Sequence, residues 1–439
     1  MRYFIDTYGC QMNEYDSGLI ASMMEENGCL PTEDPAEADF FFFNTCSIRE
    51  KAEETAIARI SKMTYYKKKR DGIKFIVTGC MAKHLGARLV ERVRAIDFVI
   101  GPDNYKKIPE VLFSHPVPVI KRTLSKRIIT DFNEEENYLG ETAKISTPIS
   151  SYITIQRGCN KHCSYCIVPY VRGPEKYRNP SDVIREVTLA AEKGVSEITL
   201  LGQTVNAYKS SDMDFADLLL KVSEVKGIHR VRFMSPHPKH YTEKLIDILL
   251  SIPQICPHAH IPLQSGSDRI LKKMHRQHTL DEFMCILEKF RGKDPFYGLT
   301  TDIITGFVGE EKEDFEATLQ AVKDAQFDAA FMFSYSPREG TESAKETEVL
   351  SEEEKQARLE TLVELQNNIT LERNKLMIGR TEEVLVERPS TKNSSEWVGK
   401  TGNFKKIIFS SNSAKPGDYI LCHIDSVRGW TLRGTPTIK

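Results

Sequence analysis

Three cysteines stand in Cys159-Asn160-Lys161-His162-Cys163-Ser164-Tyr165-Cys166, a CxxxCxxC loop that directly follows a strand-like segment. Three more, Cys10, Cys46 and Cys80, lie far apart in the chain. Each nevertheless follows a strand pattern and a short polar or glycine turn: Tyr8-Gly9-Cys10, Asn44-Thr45-Cys46 and Thr78-Gly79-Cys80. Iron–sulfur clusters are usually held by four thiolates, so a site with three leaves one iron open to another ligand. Two such sets in one polypeptide point to clusters that take part in chemistry. Two plainer readings stand beside this one. Free cysteines pack as small hydrophobes. A zinc ion held by the loop would need the adjacent His162 and Cys163 to reach one tetrahedral centre from opposite sides of the backbone.

The elements that must position these residues follow from the pattern. Segments 3–7, 39–43 and 74–78 read as buried strands separated by helical stretches, a βαβ rhythm that predicts a doubly wound parallel sheet. Ligands of such sheets bind beyond the carboxyl ends of the strands, where the three scattered cysteines fall. Segments 152–155, 197–201, 230–234, 260–263, 299–305 and 329–335 form a second strand series. Helical patterns at 181–193 and 311–325 lie among them, which suggests a partial (β/α)6 barrel with its site at the strands' carboxyl mouth. A polar helix over 351–377 leads to short strands at 383–387, 406–409, 418–425 and 431–433, a small β-barrel. The expected domains are 1–115, a linker at 116–145 holding Pro116, Pro118 and Glu134-Glu135-Glu136, then 146–374 and 375–439.

Composition narrows the setting. The 439 residues carry a net charge of −2, which gives no global pull toward nucleic acid or membrane. No signal-peptide core and no run of 18 apolar residues is present, so a cytoplasmic location is expected, where clustered thiols bind metal more often than they oxidise. Residues 375–439 differ: 11 Lys and Arg stand against 6 Asp and Glu, interleaved with Trp397, Phe404, Phe409, Tyr419 and Trp430. That mixture suits phosphate contact with base stacking, or equally a solvated surface over an aromatic core. The run Lys67-Lys68-Lys69-Arg70 reads as solvated rather than as an RNA contact. Cys29, Cys256, Cys285 and Cys422 lack a metal-like context and read as packing thiols.

CxxxCxxC with an aromatic before its last cysteine, at the end of the first barrel strand, resembles the signature of the radical S-adenosylmethionine (SAM) enzymes. Thr7–Ser17, Asn44–Glu50, Thr78–Ala82, Leu201-Gly202-Gln203, His260–Asp268, Thr301–Ile304 and Phe333–Arg338 extend the likeness to the methylthiotransferase family over essentially the whole chain. The C-terminal barrel resembles a TRAM domain, an RNA-binding module. The resemblance implies two [4Fe–4S] clusters, one SAM-binding on Cys159, Cys163 and Cys166 and one auxiliary on Cys10, Cys46 and Cys80. It also implies SAM contacts at Tyr165, Gly202, Gln203, Ser235, Gln264, Ser265 and Asp302. Gln11-Met12-Asn13 is similar to the branch that transfers a methylthio group to carbon 2 of N6-isopentenyladenosine beside the tRNA anticodon. In that reaction SAM serves as methyl donor and as 5′-deoxyadenosyl radical source. Other branches act on a ribosomal-protein aspartate or on threonylcarbamoyl-adenosine in tRNA. Implied partners are a tRNA anticodon stem-loop and an electron donor such as a flavodoxin or ferredoxin, with the protein a monomer. Thr204, Val308 and Glu339 depart from the branch's usual residues.

Overall fold

The computed structural model describes residues 1–47, 50–113, 127–133, 142–145, 147 and 149–437. Four consecutive phenylalanines cannot leave either face of a strand in water, and this drives the first assembly. Phe41, Phe43 and Phe75 pack on one side of a parallel sheet, Phe40, Phe42 and Ile76 on the other. Its strands are β1 (Arg2–Tyr8), β2 (Leu30–Pro31), β3 (Phe40–Thr45), β4 (Lys74–Gly79), β5 (Phe98–Ile100) and β6 (Ile128–Ile129), in spatial order β2-β1-β3-β4-β5-β6. Helices α1 (Gln11–Glu26), α2 (Glu50–Lys69) and α3 (Cys80–Leu85) connect them. The doubly wound reading holds, with three more strands than the sequence pattern showed. One of them, β6, falls inside the stretch expected to be linker: two residues are too few to show periodicity, yet they pair with Val99 and Ile100. Pro116, Pro118 and Glu134–Glu136 lie outside the described residues.

The second assembly is an incomplete barrel of parallel strands: β7 (Ser150–Thr154), β8 (Glu197–Leu201), β9 (Arg230–Phe233), β10 (His258–His260), β11 (Gly298–Thr305) and β12 (Ala329–Ser334). They pair as β7-β8-β9 and β10-β11-β12, and a parallel bridge between Val231 and Ile255 joins the two halves. The fourth strand ends at His260, although the apolar pattern ran through Leu263. Pro262 has no N–H to continue a ladder, and the chain turns into a loop there. A short helix α4 (Val168–Arg172) follows the CxxxCxxC loop. Among the outer helices are α5 (Pro180–Glu192), capped by the Asn179 side chain, and α6 (Lys312–Ala325). No helix among the described residues is long and apolar enough to cross a membrane.

Helix α7 (Glu352–Lys375) runs from the barrel's mouth to its base. Lys355 lies beside Gly306 just past β11, and Asn374 meets Trp430 at the other end. There the chain forms a closed five-stranded barrel of β13 (Thr381–Pro389), β14 (Glu396–Thr401), β15 (Lys406–Ser410), β16 (Tyr419–Arg428) and β17 (Thr431–Pro436). The sequence reading missed β14. Its Gly399 is needed because a Cβ there would press into Val384 and the Leu385 carbonyl, and that same glycine weakens the strand pattern.

This small barrel plugs the base of the large one. Arg232, buried on β9, donates to Glu197 at 3.0 Å and to the carbonyls of Thr401 and Gly402 at 2.9 Å each. Phe404 stacks on His258, and buried Lys405 reaches Asp328 at 2.7 Å. Removing one partner of a buried ion pair strands the other charge, at a cost of about 3–5 kcal/mol. Arg232→Ala is therefore expected to lower the thermal unfolding midpoint by several degrees, read by calorimetry, while Arg232→Lys retains part of the stability.

Candidate metal centre

In β1, β3 and β4 the residues Tyr8, Thr45 and Gly79 stand in one row across the sheet. Adjacent strands lie about 4.8 Å apart, so Cys10, Cys46 and Cys80, just beyond that row, leave from ends spanning about 10 Å. The motif residues lock these ends together. Asn13 donates to Asn44 at 2.9 Å, and Asn44 returns a bond to the Asn13 carbonyl at 2.8 Å. The Cys10 N–H reaches Asn13 Oδ1 at 3.3 Å. Gly79 adopts φ +88° against Asn44 and Thr45, where no side chain fits. Ser47, next to Cys46, and His84, one helical turn past Cys80, share a buried network with Glu53. The sequence motif thus has a physical reason: it welds three strand ends into one rim.

The second triad sits at the mouth of the barrel. Gln156 receives the N–H groups of Gln203 and Thr204 at 2.7 and 3.0 Å and donates to the Gly158 carbonyl at 2.6 Å. Gly158 N in turn donates to Gln203 Oε1 at 2.6 Å. The CxxxCxxC loop is therefore tied to the end of β8. Donors also reach its sulfurs: Lys161 N lies 3.3 Å from Cys159 Sγ, Thr204 Oγ1 3.2 Å from the same atom, and Arg276 Nη1 3.6 Å from Cys163 Sγ. Burial raises the thiol pKa of Cys159, and it pushes Cys166 up to about 12 with help from neighbouring Cys163. Burial thus disfavours the anionic form of both thiols, a cost that a bound cation offsets.

The donor chemistry fits iron–sulfur clusters: two sets of three thiols, four of the six buried, with N–H or O–H groups at the sulfurs of Cys80, Cys159 and Cys163. Among the described residues no three His, Cys, Asp or Glu side chains draw together as the ligands of a single ion must. Tetrahedral zinc at about 2.3 Å from each sulfur needs thiolates about 3.8 Å apart. His162 is exposed and takes part through its carbonyl, which lies 3.2 Å from His275 Nδ1.

The two triads meet across α4. Ile167 and Val171 pack against Cys80. Arg172 at the helix end donates from Nε to Cys80 Sγ at 3.1 Å and pairs with Asp16 at 2.8 Å. Further pairs close the same interface: Arg178 with Glu186 and Tyr15, and Arg157 and Lys176 with Asp103.

The residues expected to touch SAM divide by environment. Ser235 and Gln264 follow the third and fourth barrel strands at φ +59° and +73°, left-handed conformations that cost energy for non-glycine residues. Asp302 lies 3.2 Å from His260 Nε2, and Tyr165 meets the Phe307 ring edge-on. Gly202 must lack a side chain because Gln156 Oε1 occupies the space beside it. The Ser265 hydroxyl is enclosed, accepting from Ser267 N and lying 3.4 Å from Thr318 Oγ1. Gln156, Arg172, Arg276 and Thr204 carried no sulfur-related signal in the sequence.

Other expectations resolve as follows. Cys29, Cys256 and Cys422 are buried as packing thiols, but Cys285 is exposed on a helix surface. Lys67 pairs with Asp97 and Arg70 with Asp39, so the basic run is partly spent on the first domain's own acids. Of the C-terminal aromatics, Phe409 lies in the core and Phe404 and Tyr419 face the large barrel. Trp397 is half-buried with its indole bonded to Ser411, whereas Trp430 is 61% exposed. Thr204 bonds the sulfur of Cys159, Val308 is buried beside Tyr335, and Glu339 forms an exposed pair with Arg88.

Comparison with known proteins agrees with this architecture. Residues 2–101 match Uncharacterized protein family UPF0004, residues 153–322 the Radical SAM superfamily, and residues 375–437 the TRAM domain. A radical SAM domain works with SAM and an iron–sulfur cluster, and a TRAM domain is an RNA-binding module. Among solved structures, the fold is similar to that of TsrM, a radical SAM methyltransferase from Kitasatospora setae. The TM-score is 0.60 at 13% identity, over 78% of this chain and 75% of that one. The tRNA-2-methylthio-N(6)-dimethylallyladenosine synthase of Dictyoglomus thermophilum is 38% identical over 99% of this chain and 98% of its own. The protein of the same name from Syntrophus aciditrophicus is 41% identical over 98% and 93%. With three domains matched in order and these identities sustained along both lengths, the chain belongs to the tRNA-2-methylthio-N(6)-dimethylallyladenosine synthase family of radical SAM proteins.

Proposed function

We propose that this protein transfers a methylthio group to carbon 2 of N6-isopentenyladenosine next to the anticodon of tRNA. The observation that carries the reading is the meeting of two cysteine triads, each at the carboxyl end of a parallel-strand assembly, across the single helix α4. Cys159, Cys163 and Cys166 would hold one [4Fe–4S] cluster, and Cys10, Cys46 and Cys80 a second. When bound, these groups with SAM supply the methyl group, the 5′-deoxyadenosyl radical and the sulfur.

The chain's own residues hold and shield. Gln156 and Gln203 fix the loop, while Thr204, the Lys161 amide and Arg276 stabilise negative charge on its sulfurs. Asp302, oriented by His260, presents an acceptor at the mouth for SAM's amine or hydroxyls, beside the backbone turns at Ser235 and Gln264. Tyr165 and Phe307 form an apolar wall that keeps water from a reactive intermediate. Recognition of RNA falls to the basic C-terminal barrel, where Trp430 offers a free ring for stacking. Bases of a single-stranded loop are already splayed out, so taking one into the mouth costs little. A flavodoxin or ferredoxin would deliver electrons to this cytoplasmic monomer.

Nucleoside mass spectrometry of tRNA from a strain lacking the gene is expected to show loss of 2-methylthio-N6-isopentenyladenosine and a rise of its unmodified precursor. Unchanged levels, with loss of methylthiolation on a ribosomal-protein aspartate or on threonylcarbamoyl-adenosine, would replace this reading with one of the other branches. Iron analysis addresses the clusters. Anaerobically reconstituted protein should carry about eight irons, and the Cys159/Cys163/Cys166→Ala variant about four. Incubating the reduced protein with SAM should yield 5′-deoxyadenosine, and the triple variant should make none.

A further inference from the structure

We infer that Arg172 is a positioning residue for the second cluster: it fixes the sulfur of Cys80 as a ligand, sets the charge beside it, and ties that ligand to the CxxxCxxC loop. The inference rests on the two-cluster reading above.

Arg172 is 2% exposed and ends the helix that begins two residues after Cys166. Its Nε donates to Cys80 Sγ at 3.1 Å, and its Nη2 lies 2.8 Å from Asp16 Oδ2, on a residue with no exposure. Tyr105 also donates to that carboxylate at 3.2 Å. A guanidinium paired with Asp16 alone would satisfy a structural role. Turning Nε onto a sulfur as well holds that sulfur in one position and sets a fixed positive charge beside it. Partners of this kind orient metal ligands and tune the centre, and losing one typically weakens metal binding 10–100-fold. Hydrogen bonds to sulfur and net charge also set cluster potentials.

The direction of each effect is fixed by sign. A cation beside the cluster stabilises its reduced, more negative state and raises the potential; Asp16 opposes it. Arg172→Met should therefore lower the potential and Asp16→Asn should raise it. Arg172→Lys keeps the charge but not the fork, and should fall between Arg172→Met and the parent.

The test uses the full chain with Cys159, Cys163 and Cys166 changed to alanine, which isolates the second site. Iron per chain, the rate of iron loss to a chelator, and the midpoint potential by EPR-monitored redox titration are measured for each variant. Expected are shifts of opposite sign for Arg172→Met and Asp16→Asn, with iron loss from Arg172→Met at least about 10-fold faster. Equal potentials in all variants, or shifts of one sign for both, would overturn the inference. Should Arg172→Met fail to fold, the upward shift in Asp16→Asn and a downward shift in Arg172→Lys, each relative to the parent, decide the matter. If the parent background binds no iron, the two-cluster reading itself falls and the inference falls with it.

Discussion

The structure depends on one buried electrostatic seam between the first domain and the large barrel. Acids come from the first domain and bases from the barrel: Asp16 faces Arg172, and Asp103 faces Arg157 and Lys176. Tyr15 joins from α1 by bonding both Arg178 and Glu186. Such pairs are poor sources of net stability, because desolvation consumes most of the Coulomb gain and apolar residues of similar volume often do as well. Their value lies in geometry. An apolar seam tolerates sliding, whereas a buried charge displaced from its partner is left stranded at a cost of about 3–5 kcal/mol. The seam therefore holds two mouths in one register. Ligands of open parallel sheets and of barrels alike sit at the carboxyl ends of strands. Docking those ends against each other brings Cys80 of the first domain onto the helix that follows the CxxxCxxC loop.

What the sequence disclosed and what it hid follow from contact range. Cys10, Cys46 and Cys80 were legible because each marks the end of a local strand pattern, and the CxxxCxxC loop because its spacing is local. Arg172 and Arg276 were not, since they reach Cys80 and Cys163 across 92 and 113 residues. A lone arginine in a loop or short helix carries no periodicity that would reveal such a partner. Gln156 was hidden differently: it sits two residues past the end of β7 and its amide works entirely on backbone groups. The missed strands have other causes. Leu30–Pro31, Phe98–Ile100 and Ile128–Ile129 are only two or three residues long, and Glu396–Thr401 holds a glycine that packing demands and strand propensity disfavours. The aromatics of the C-terminal barrel were ambiguous for a third reason. Core, interface and free surface all use the same residue types, and only burial separates Phe409, Phe404 and Trp430.

The placement of the C-terminal barrel constrains how RNA reaches the chemistry. Arg232, Phe404 and Lys405 seat it on the amino ends of the large barrel's strands, so it is no lid over the mouth. Helix α7 measures the separation: its 24 residues run from Gly306 at the mouth to Trp430 at the base, about 36 Å at 1.5 Å per residue. An RNA held by the small barrel and modified at the mouth has to span that height along the outside of the large one. A compact, folded stem with a protruding loop meets this requirement, since its helical part is stiff enough to carry a grip at one end to a defined point at the other. A flexible single strand of equal length does not, because its loop would sample a large volume and seldom present one base to the mouth. The distance of the small barrel from the mouth is fixed by buried charge at both ends of the large barrel.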